Sequence, residues 1–263
     1  MSGVLSFHIS RRFLRVWQRN AVVYRKIWKV NFLTPLLEPI FYLLAFGYGM
    51  SALIGKVPFE GQELPYVVFI TPSLLAIAMM YNAFFENTYA SFVRMYYQKT
   101  FDAMLATPLS LDEVIAGEII WGATKSLIAT AIMLGVVTAF GLVRYPHVLL
   151  ILPLSFLAGI AFGSIGMFFT GIIPSIDAFN LPIFLFITPM FLFSGTFFPV
   201  SGLPAWAQSL AMVFPLTHLV SATRHLCLGV MRTDLFWGIL YLMIFSGVFF
   251  PLALVVMKRR LIR

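Results

Sequence analysis

The distribution of charged residues constrains this chain more than any other feature of its sequence. Between Lys29 and Lys56 only Glu38 is charged, and five further stretches carry no charge at all: 64–85, 126–143, 145–176, 178–223 and 235–257. A helix needs about 20 apolar residues, each rising ~1.5 Å, to cross about 30 Å of hydrocarbon. Each of these stretches can therefore hold at least one membrane-spanning helix.

The composition excludes a water-soluble domain. Of the 263 residues, 60% are hydrophobic and only 11% are charged, which leaves too few polar side chains to cover a folded surface. The net charge of +8 suits a nucleic-acid partner in principle, but the basic residues concentrate at the two chain ends beside apolar stretches. That placement indicates anionic lipid headgroups, so we expect lipid contacts and no nucleic-acid partner.

The sequence predicts an all-α polytopic membrane protein with six transmembrane helices. The stretch 178–223 is too long for one helix, and five prolines interrupt it: Pro182, Pro189, Pro199, Pro204 and Pro215. Irregular backbone at membrane depth must be buried in protein or line a wet cavity, so residues 200–222 are predicted to form short outer re-entrant helices before the last span. A single permease domain, 31–263, then holds the predicted spans: 31–54, 66–88, 114–142, 148–172, 178–198 and 234–257.

The positive-inside rule gives an orientation for these spans. Thirteen basic residues fall on one side, four fall on the other, and Lys125 lies within a span. The thirteen are the seven from Arg11 to Lys29, Arg94, Lys99 and the four from Lys258 to Arg263; the four are Lys56, Arg144, Arg224 and Arg232. Both termini are therefore predicted to be cytoplasmic. A cleaved signal peptide is disfavoured, because the basic region is too long and no small-residue cleavage site follows the first apolar stretch.

Residues 1–30 are predicted to form a cytoplasmic, interfacial amphipathic helix. Aromatic and basic side chains recur on two separate faces at helical spacing: Phe13, Trp17, Tyr24 and Trp28 on one, and Arg12, Arg15, Arg19 and Lys26 on the other. We expect the rings to lie at the level of the lipid headgroups and the basic side chains to contact lipid phosphates. A soluble nucleic-acid-binding arm is disfavoured because the segment runs directly into a span.

Residues 98–112 form the most informative polar segment. Pro108 disfavours helix at Thr107, and Ser110 followed three residues later by Glu113 matches a capping box that can open the third span. The pattern predicts a short helix, a stop and a new helix, joined by a rigid elbow. The short helix carries apolar side chains that need a partner surface, either on a peripheral ATPase or on the chain's own bundle: Phe101, Met104 and Leu105.

No catalytic, cofactor or metal site is predicted in this chain. The nearest match to a P-loop, beginning at Gly117, places Lys125 two residues too late and lies in a hydrophobic helix. The histidines are scattered, with no pair on facing spans to hold haem or a metal: His8, His147, His218 and His225. The single cysteine, Cys227, is expected to be a small buried apolar residue. We therefore do not expect an enzyme.

A few polar residues within spans are candidates for a substrate path. Charge in hydrocarbon costs about 2.5–3.5 kcal/mol on insertion scales, so such groups face protein or water. Glu38 lies in the first span, and Asn82 and Glu86 share a face of the second. They could line a path for a substrate headgroup, or they could form interhelix hydrogen bonds or interfacial anchors. Glu118 and Lys125, two turns apart on the third span, could pair with each other or extend to the interface.

Three segments of the sequence together carry a resemblance to a known family. They are residues 106–118 (ATPLSLDEVIAGE), residues 186–204 (FITPMFLFSGTFFPVSGLP), and residues 214–218 (FPLTH) with Arg224 beyond. In their order and spacing they resemble the ATP-binding-cassette type 2 permease family. Within it the chain is most similar to the nodulation-type lipo-oligosaccharide exporter permeases, and the resemblance covers essentially the whole chain.

The resemblance implies a permease that pairs with a second copy of itself and with two copies of a separate ATPase, which would bind the ATP and Mg²⁺. It implies export of an amphiphilic, lipid-linked or glycan-bearing substrate across the bacterial cytoplasmic (inner) membrane. It also implies that the elbow is the coupling helix, with five residues at the ATPase contact: Phe101, Asp102, Leu105, Thr107 and Pro108. The alternatives are a hydrophobic-drug exporter permease and a non-transporting membrane anchor or scaffold subunit of an enzyme complex.

Overall fold

The computed structural model describes residues 8–59 and 61–261, without the side chain of Tyr48. The first seven residues of the predicted amphipathic segment and the last two of the basic C-terminus therefore lie outside the described residues. The described elements, in chain order, are α1 (Phe13–Lys26), α2 (Trp28–Ile54), β1 (Lys56–Phe59), β2 (Gln62–Pro65), α3 (Tyr66–Tyr97), α4 (Thr100–Leu105), α5 (Leu111–Ala139), α6 (His147–Ile172), α7 (Asp177–Phe193), α8 (Ala205–Val213), α9 (Pro215–Leu228) and α10 (Thr233–Leu261).

The chain is an all-α polytopic membrane protein, as the sequence predicted. Five of the described helices are long and apolar enough to cross a membrane: α2, α3, α5, α6 and α10. Four of them match predicted spans closely, but α3 continues as helix to Tyr97, well past the predicted end at residue 88. The fifth predicted span corresponds to α7, an apolar helix of 17 residues at the lower limit for spanning. The count of six spans therefore stays a prediction.

The segment after α7 is broken by glycine and proline. Helix α7 ends at Phe193, short of the predicted residue 198, and Gly195 follows with a φ of 72°, a left-handed conformation that a side chain disfavours. Pro204 and Pro215 then stand at the starts of α8 and α9, where the missing backbone N–H costs no hydrogen bond. Helix α9 runs to Leu228, beyond the predicted limit of the re-entrant segment at residue 222.

A β-hairpin joins α2 to α3, and the sequence analysis did not predict it. Strands β1 and β2 pair antiparallel, with Lys56 opposite Pro65 and Phe59 opposite Gln62. Gly55, with a φ of 69°, ends α2, and Gly61, with a φ of 77°, lies in the turn. The hairpin folds over one end of the helix bundle and places Phe59 against Phe69 at the start of α3, with ring centroids 6.0 Å apart.

Helix α3 lies at the centre of the bundle and α2 at its edge. Of the residues in the most apolar 18-residue segment of each helix, 78% are buried in α3 but only 12% are buried in α2. Glycines allow close contact with α6: a Cβ at Gly159 would lie 2.5 Å from Ala123 Cα on α5, and one at Gly166 would lie 2.8 Å from Phe84 O on α3. The exposed α2 borders a cavity at one end of the bundle.

The two ends of the bundle carry different structures. The end here named the elbow end holds α1, α4 and the start of α5, which an ion pair between Lys258 Nζ and Asp112 Oδ1 (2.9 Å) joins to the end of α10. The opposite end, here named the hairpin end, holds the β-hairpin, α8, α9 and the start of α10. Cys227, in α9, is buried, as predicted.

Candidate functional site

A cavity of about 720 Å³ lies between α1, α2, α3 and α5, towards the elbow end. It brings together the three polar residues that the sequence singled out, Glu38 on α2 and Asn82 and Glu86 on α3. Its remaining wall is rich in aromatic side chains: Tyr24, Tyr81, Phe85, Tyr89 and Trp121. A concave space of this size, lined by both apolar surface and hydrogen-bonding groups, is typical of ligand pockets.

Four charged side chains form a buried cluster on the cavity wall. Glu86 pairs through one carboxylate oxygen with Arg94 Nη1 and through the other with Lys125 Nζ, each at 2.8 Å. Arg94 also pairs with Glu118, its Nε donating to Oε2 at 2.9 Å. Two carboxylates thus face two cations, and the cluster is neutral. Burial of these charges is tolerable only because each has a partner, so the cluster is a cross-link between α3 and α5.

Neutral side chains supply the remaining hydrogen bonds of the cluster. Glu118 Oε1 accepts from Asn20 Nδ2 of α1 at 2.8 Å, and Glu118 Oε2 also accepts from Ser91 Oγ at 2.8 Å. The indole N–H of Trp121 donates to Glu86 Oε1 at 3.1 Å. The carboxylates of Glu86 and Glu118 are therefore held in fixed positions. Lys125, more exposed than the other three, is the cation of the cluster best placed to meet a ligand.

This cluster was not predicted from the sequence, because Arg94 follows the predicted end of the second span and was assigned to the cytoplasmic side. Helix α3 instead continues beyond residue 88 through two π-helical turns, Glu86–Ala90 and Val93–Tyr97, and these bring Arg94 back towards Glu86. The suggested pairing of Glu118 with Lys125 is also wrong, since each pairs with a residue of α3. The sequence does contain one sign of the cluster: Glu86 and Arg94 lie eight residues apart, directly after the uncharged stretch 64–85, where an ion pair between them could have been predicted.

Glu38 differs from the other carboxylates at the cavity. It lines the cavity from α2, and it makes no hydrogen bond or ion pair with any residue that the structure describes. Asn82 lines the same cavity from α3. Its Nδ2 donates to Ala78 O at 2.9 Å, which leaves its side-chain oxygen available for a further hydrogen bond. An unpaired carboxylate and an amide oxygen can both accept hydrogen bonds from hydroxyl, amide or ammonium groups of a ligand.

Helix α1 packs on α5 and closes one side of the cavity. The indole N–H of Trp17 donates to Thr124 Oγ1 at 2.9 Å, and the ring of Tyr24 lies 5.5 Å from that of Trp121. Two of the rings expected at the level of the lipid headgroups therefore contact protein. Burial and then the nearby Glu86 carboxylate raise the pKa of Tyr24, so its hydroxyl stays a hydrogen-bond donor. A Cβ at Gly117 would lie 2.6 Å from Val16 Cβ, so the close packing of α1 depends on this glycine.

The elbow has the local structure predicted for it. Helix α4 ends at Leu105, and α5 starts after Ser110, whose hydroxyl accepts from Glu113 N while Glu113 Oε2 accepts from Ser110 N at 2.8 Å. The capping box is thus confirmed. Lys99, with a φ of 52°, sets the sharp bend between α3 and α4.

The five candidate contact residues of the elbow divide into one buried and four exposed residues. Phe101 is 0% exposed and packs in a cluster with Phe92, Met95 and residues of α5. Leu105 is 37% exposed, and the other three candidates are exposed as well: Asp102, Thr107 and Pro108. Phe101 therefore fixes α4 to the bundle, and the exposed four form the surface that a partner can reach.

The chain segment before α1 is hydrogen-bonded to the elbow. His8 N donates to Asp112 Oδ2 at 2.9 Å, and Arg12 Nη1 donates to Pro108 O at 2.8 Å. Ser10 Oγ donates to Glu113 Oε1. These hydrogen bonds connect the elbow to the start of α1, the helix that lines the cavity.

Comparison with known proteins identifies the family to which these features belong. The profile of the ABC-2 type transporter family matches residues 11–228, which include α1, the cavity, the elbow and α9. The chain belongs to the ABC-2 type transporter family. It is therefore a multi-pass membrane subunit of a transporter, and the resemblance inferred from the sequence is confirmed.

Individual ABC-2 permeases are similar over nearly the full length. Nodulation protein J of Sinorhizobium fredii is 35% identical over 250 residues, covering 95% of this chain and 94% of that protein. Nodulation protein J of Rhizobium leguminosarum bv. viciae is 36% identical over 253 residues, covering 95% of each. The inner membrane transport permease YadH of Escherichia coli K12 is 23% identical over 216 residues, covering 82% of each. The similarity to the two nodulation proteins thus extends over nearly the whole of this chain and of each relative.

Proposed function

We propose that this ABC-2 permease is the membrane subunit of an ATP-driven exporter in the bacterial inner membrane, with both termini cytoplasmic. Its substrate is an amphiphilic lipid-linked or glycan-bearing molecule, and a separate ATPase, present in two copies beside two copies of this chain, binds ATP and Mg²⁺. The names of the relatives, nodulation protein J and an inner membrane transport permease, support this assignment.

The observation that carries the proposal is the route of contacts from the exposed elbow to the cavity. An ATPase that binds Leu105 and its exposed neighbours would move the elbow, and the hydrogen bonds to residues 8–12 would pass this movement to α1. Movement of α1 against α5 changes the wall of the cavity that contains Asn20 and Tyr24. ATP hydrolysis in the partner can thereby alter access to the cavity.

The cavity suits the polar part of an amphiphile. Helix α2 is exposed along most of its length, so the apolar part of a substrate can stay in lipid while its headgroup enters beside Glu38. Aromatic faces such as Tyr81 and Phe85, stacked with centroids 5.3 Å apart, offer apolar contact to sugar rings, and Asn82 offers a hydrogen-bond acceptor. This combination favours a glycan-bearing headgroup over a wholly apolar drug.

The test is assembly and ATP turnover. The tagged chain is co-expressed with candidate ATP-binding-cassette ATPases of the same organism, purified in mild detergent, and compared with the free ATPase for complex mass and hydrolysis rate. We expect a complex of two permeases and two ATPases whose turnover differs from that of the free ATPase. If no ATPase associates under any nucleotide condition, the anchor or scaffold interpretation replaces the proposal.

Leu105→Asp tests the elbow within this experiment. The added charge should abolish ATPase association while leaving the permease folded, since Leu105 is already 37% exposed. Gln62→Asp in the exposed hairpin is the matched control and should leave association unchanged. Equal association of the ATPase with both variants would show that the elbow is not the contact.

A further inference from the structure

A second cavity, of about 510 Å³, lies at the hairpin end and is not part of the proposed function. Strand β1, the loops after α7, helix α9 and the start of α10 form its walls. It contains two residues of the sequence segment that resembles the family, His218 and Arg224, for which the elbow and the first cavity provide no role. Arg224 is only 4% exposed.

The guanidinium group of Arg224 uses only part of its hydrogen-bonding capacity. Its Nη2 donates to Ser73 Oγ at 2.7 Å and to Gly195 O at 2.9 Å. Its Nε is buried without a hydrogen-bond partner, and Nη1 makes no hydrogen bond within the described part of the chain. An unsatisfied buried donor costs about 1–3 kcal/mol, and more when the group is charged. Nε and Nη1 are therefore the two nitrogen atoms of this arginine without a hydrogen-bond partner among the described residues.

The positive charge of Arg224 also lacks a counter-ion among the described residues. The faces of Phe69 and Phe59 lie 4.0 and 5.2 Å from Cζ, and these contacts only partly offset the loss of solvent. Asp234 lines the same cavity but forms no ion pair with Arg224. Among the described residues, the other largely buried arginine and lysine side chains, Arg94 and Lys258, each pair with a carboxylate. A buried cation without such a partner indicates a site for an external anion.

The rest of the cavity wall can bind the groups around an anion. Hydroxyl side chains line it next to Arg224: Ser194, Thr217 and Ser221. His218 Nε2 is occupied by Met212 O at 2.8 Å, and its ring stacks on Tyr241 with centroids 4.0 Å apart, so the wall is fixed in place. A volume near 510 Å³ accommodates a phosphate group together with a sugar or glycerol unit.

We propose that this cavity is an anion-binding site in which Arg224 binds a phosphate group, either free or carried by the headgroup of an amphiphile. Arginine suits this role because its planar fork of N–H groups matches phosphate oxygens and stays charged when buried. The hydroxyl groups of Ser194 and Ser221 donate to the remaining oxygens, since the hydroxyl of Thr217 already donates to Ala211 O. The site is separate from the cavity at the elbow end and does not depend on the identity of the exported substrate.

The test uses the full-length chain in nanodiscs made only of phosphatidylcholine, with thermal unfolding as the readout. Inorganic phosphate is titrated against chloride at equal ionic strength. At about ten times its Kd, phosphate should raise the Tm by roughly 3–5 °C. Nanodiscs that contain phosphatidylglycerol distinguish the sources: a higher starting Tm with a smaller phosphate response indicates a lipid headgroup, and an unchanged response indicates a free or substrate-borne phosphate.

Arg224→Gln would remove the proposed ligand contact but would also break the hydrogen bonds to Ser73 and Gly195, so a loss of binding could reflect a loss of stability. Ser221→Glu keeps Arg224 in place and therefore tests binding separately from folding. The glutamate stands one helical turn from Arg224 and supplies an internal anion, so the variant should have a raised Tm without phosphate and no phosphate response. Ser209→Glu adds the same charge on the exposed face of α8 and should respond as the parent does. A phosphate response that survives in Ser221→Glu, or no response in the parent in either lipid, would overturn the proposal.

Discussion

At the scale of single residues, some of the charged side chains at the cavities form ion pairs and others do not. Glu86, Arg94, Glu118 and Lys125 pair with one another, and their burial makes them structural. Glu38 and Arg224 each face a cavity without an ion pair to any described residue, and the two cavities lie towards opposite ends of the bundle. We therefore expect a role in binding for Glu38 and Arg224 and a role in stability for the cluster, of which only Lys125 is exposed enough to meet a ligand as well.

Arg94→Met should destabilise the protein strongly. The methionine fills similar volume but leaves the carboxylates of Glu86 and Glu118 without their shared cation, a change that costs about 3–5 kcal/mol for a buried pair. Thermal unfolding in detergent checks this. Glu63→Gln breaks the exposed pair with Lys56 and should leave the Tm unchanged. Equal midpoints for both variants would show that the buried cluster does not stabilise the fold.

Glu38→Gln should affect transport without affecting the fold. The carboxylate has no partner among the described residues, so its neutralisation breaks no contact, and the Tm should be unchanged or slightly higher. ATP-driven transport of a fluorescent lipid-linked oligosaccharide should fall, because an acceptor at the headgroup position is weakened. Glu86→Gln is the comparison that should lower the Tm instead. A Glu38→Gln variant with full transport would exclude this residue from the substrate path.

At the scale of elements, the docking of α1 on α5 is the feature most open to test. A leucine at Gly117 would overlap Val16 Cβ and Phe13 O, and such overpacking costs about 1–3 kcal/mol. Gly117→Leu should therefore raise the population of undocked α1 by roughly 10- to 100-fold, measured as faster tryptic cleavage after Arg15 and Arg19. Gly135→Leu on the same helix, with no atom within 4 Å, should cleave at the parental rate.

Sequence patterns predicted the elements where local chemistry decides them. The capping box at Ser110 is one case, because its hydrogen bonds involve only neighbouring residues. Helix α3 continues past residue 88, the predicted end of the second span, because a partner distant in sequence, Glu118, allows Arg94 to remain in a buried helix. The burial of Phe101 likewise depends on side chains from α3 and α5. Tertiary pairing, which no single segment encodes, accounts for these differences.

The same distinction explains how much of the candidate site was predictable. Glu38, Asn82 and Glu86 could be chosen as polar residues in apolar stretches, and they do line one cavity. Their surroundings could not be chosen, because α1, α2, α3 and α5 meet only in the folded bundle. Arg224 was noted as part of a motif, but its unpaired state required the positions of Ser73, Gly195 and the hairpin.

At the scale of the whole molecule, a series of contacts between helices connects the elbow to the first cavity and then to the second cavity at the other end of the bundle. The elbow contacts α1, α1 lines the first cavity, and α3 runs from that cavity to the hairpin end, where Ser73 contacts Arg224. A protein built in this way can couple a partner bound at the elbow to a substrate in the membrane.

The most direct measurement of ATP-driven export is transport by the purified permease–ATPase complex in proteoliposomes. A fluorescent lipid-linked oligosaccharide is the probe, a hydrophobic dye is the comparison, and the Leu105→Asp chain, added with the same ATPase, is the control. We expect the oligosaccharide to move only with hydrolysable ATP and only with the unaltered elbow. Movement at the same rate without ATP, or with Leu105→Asp, would contradict an exporter permease driven through the elbow.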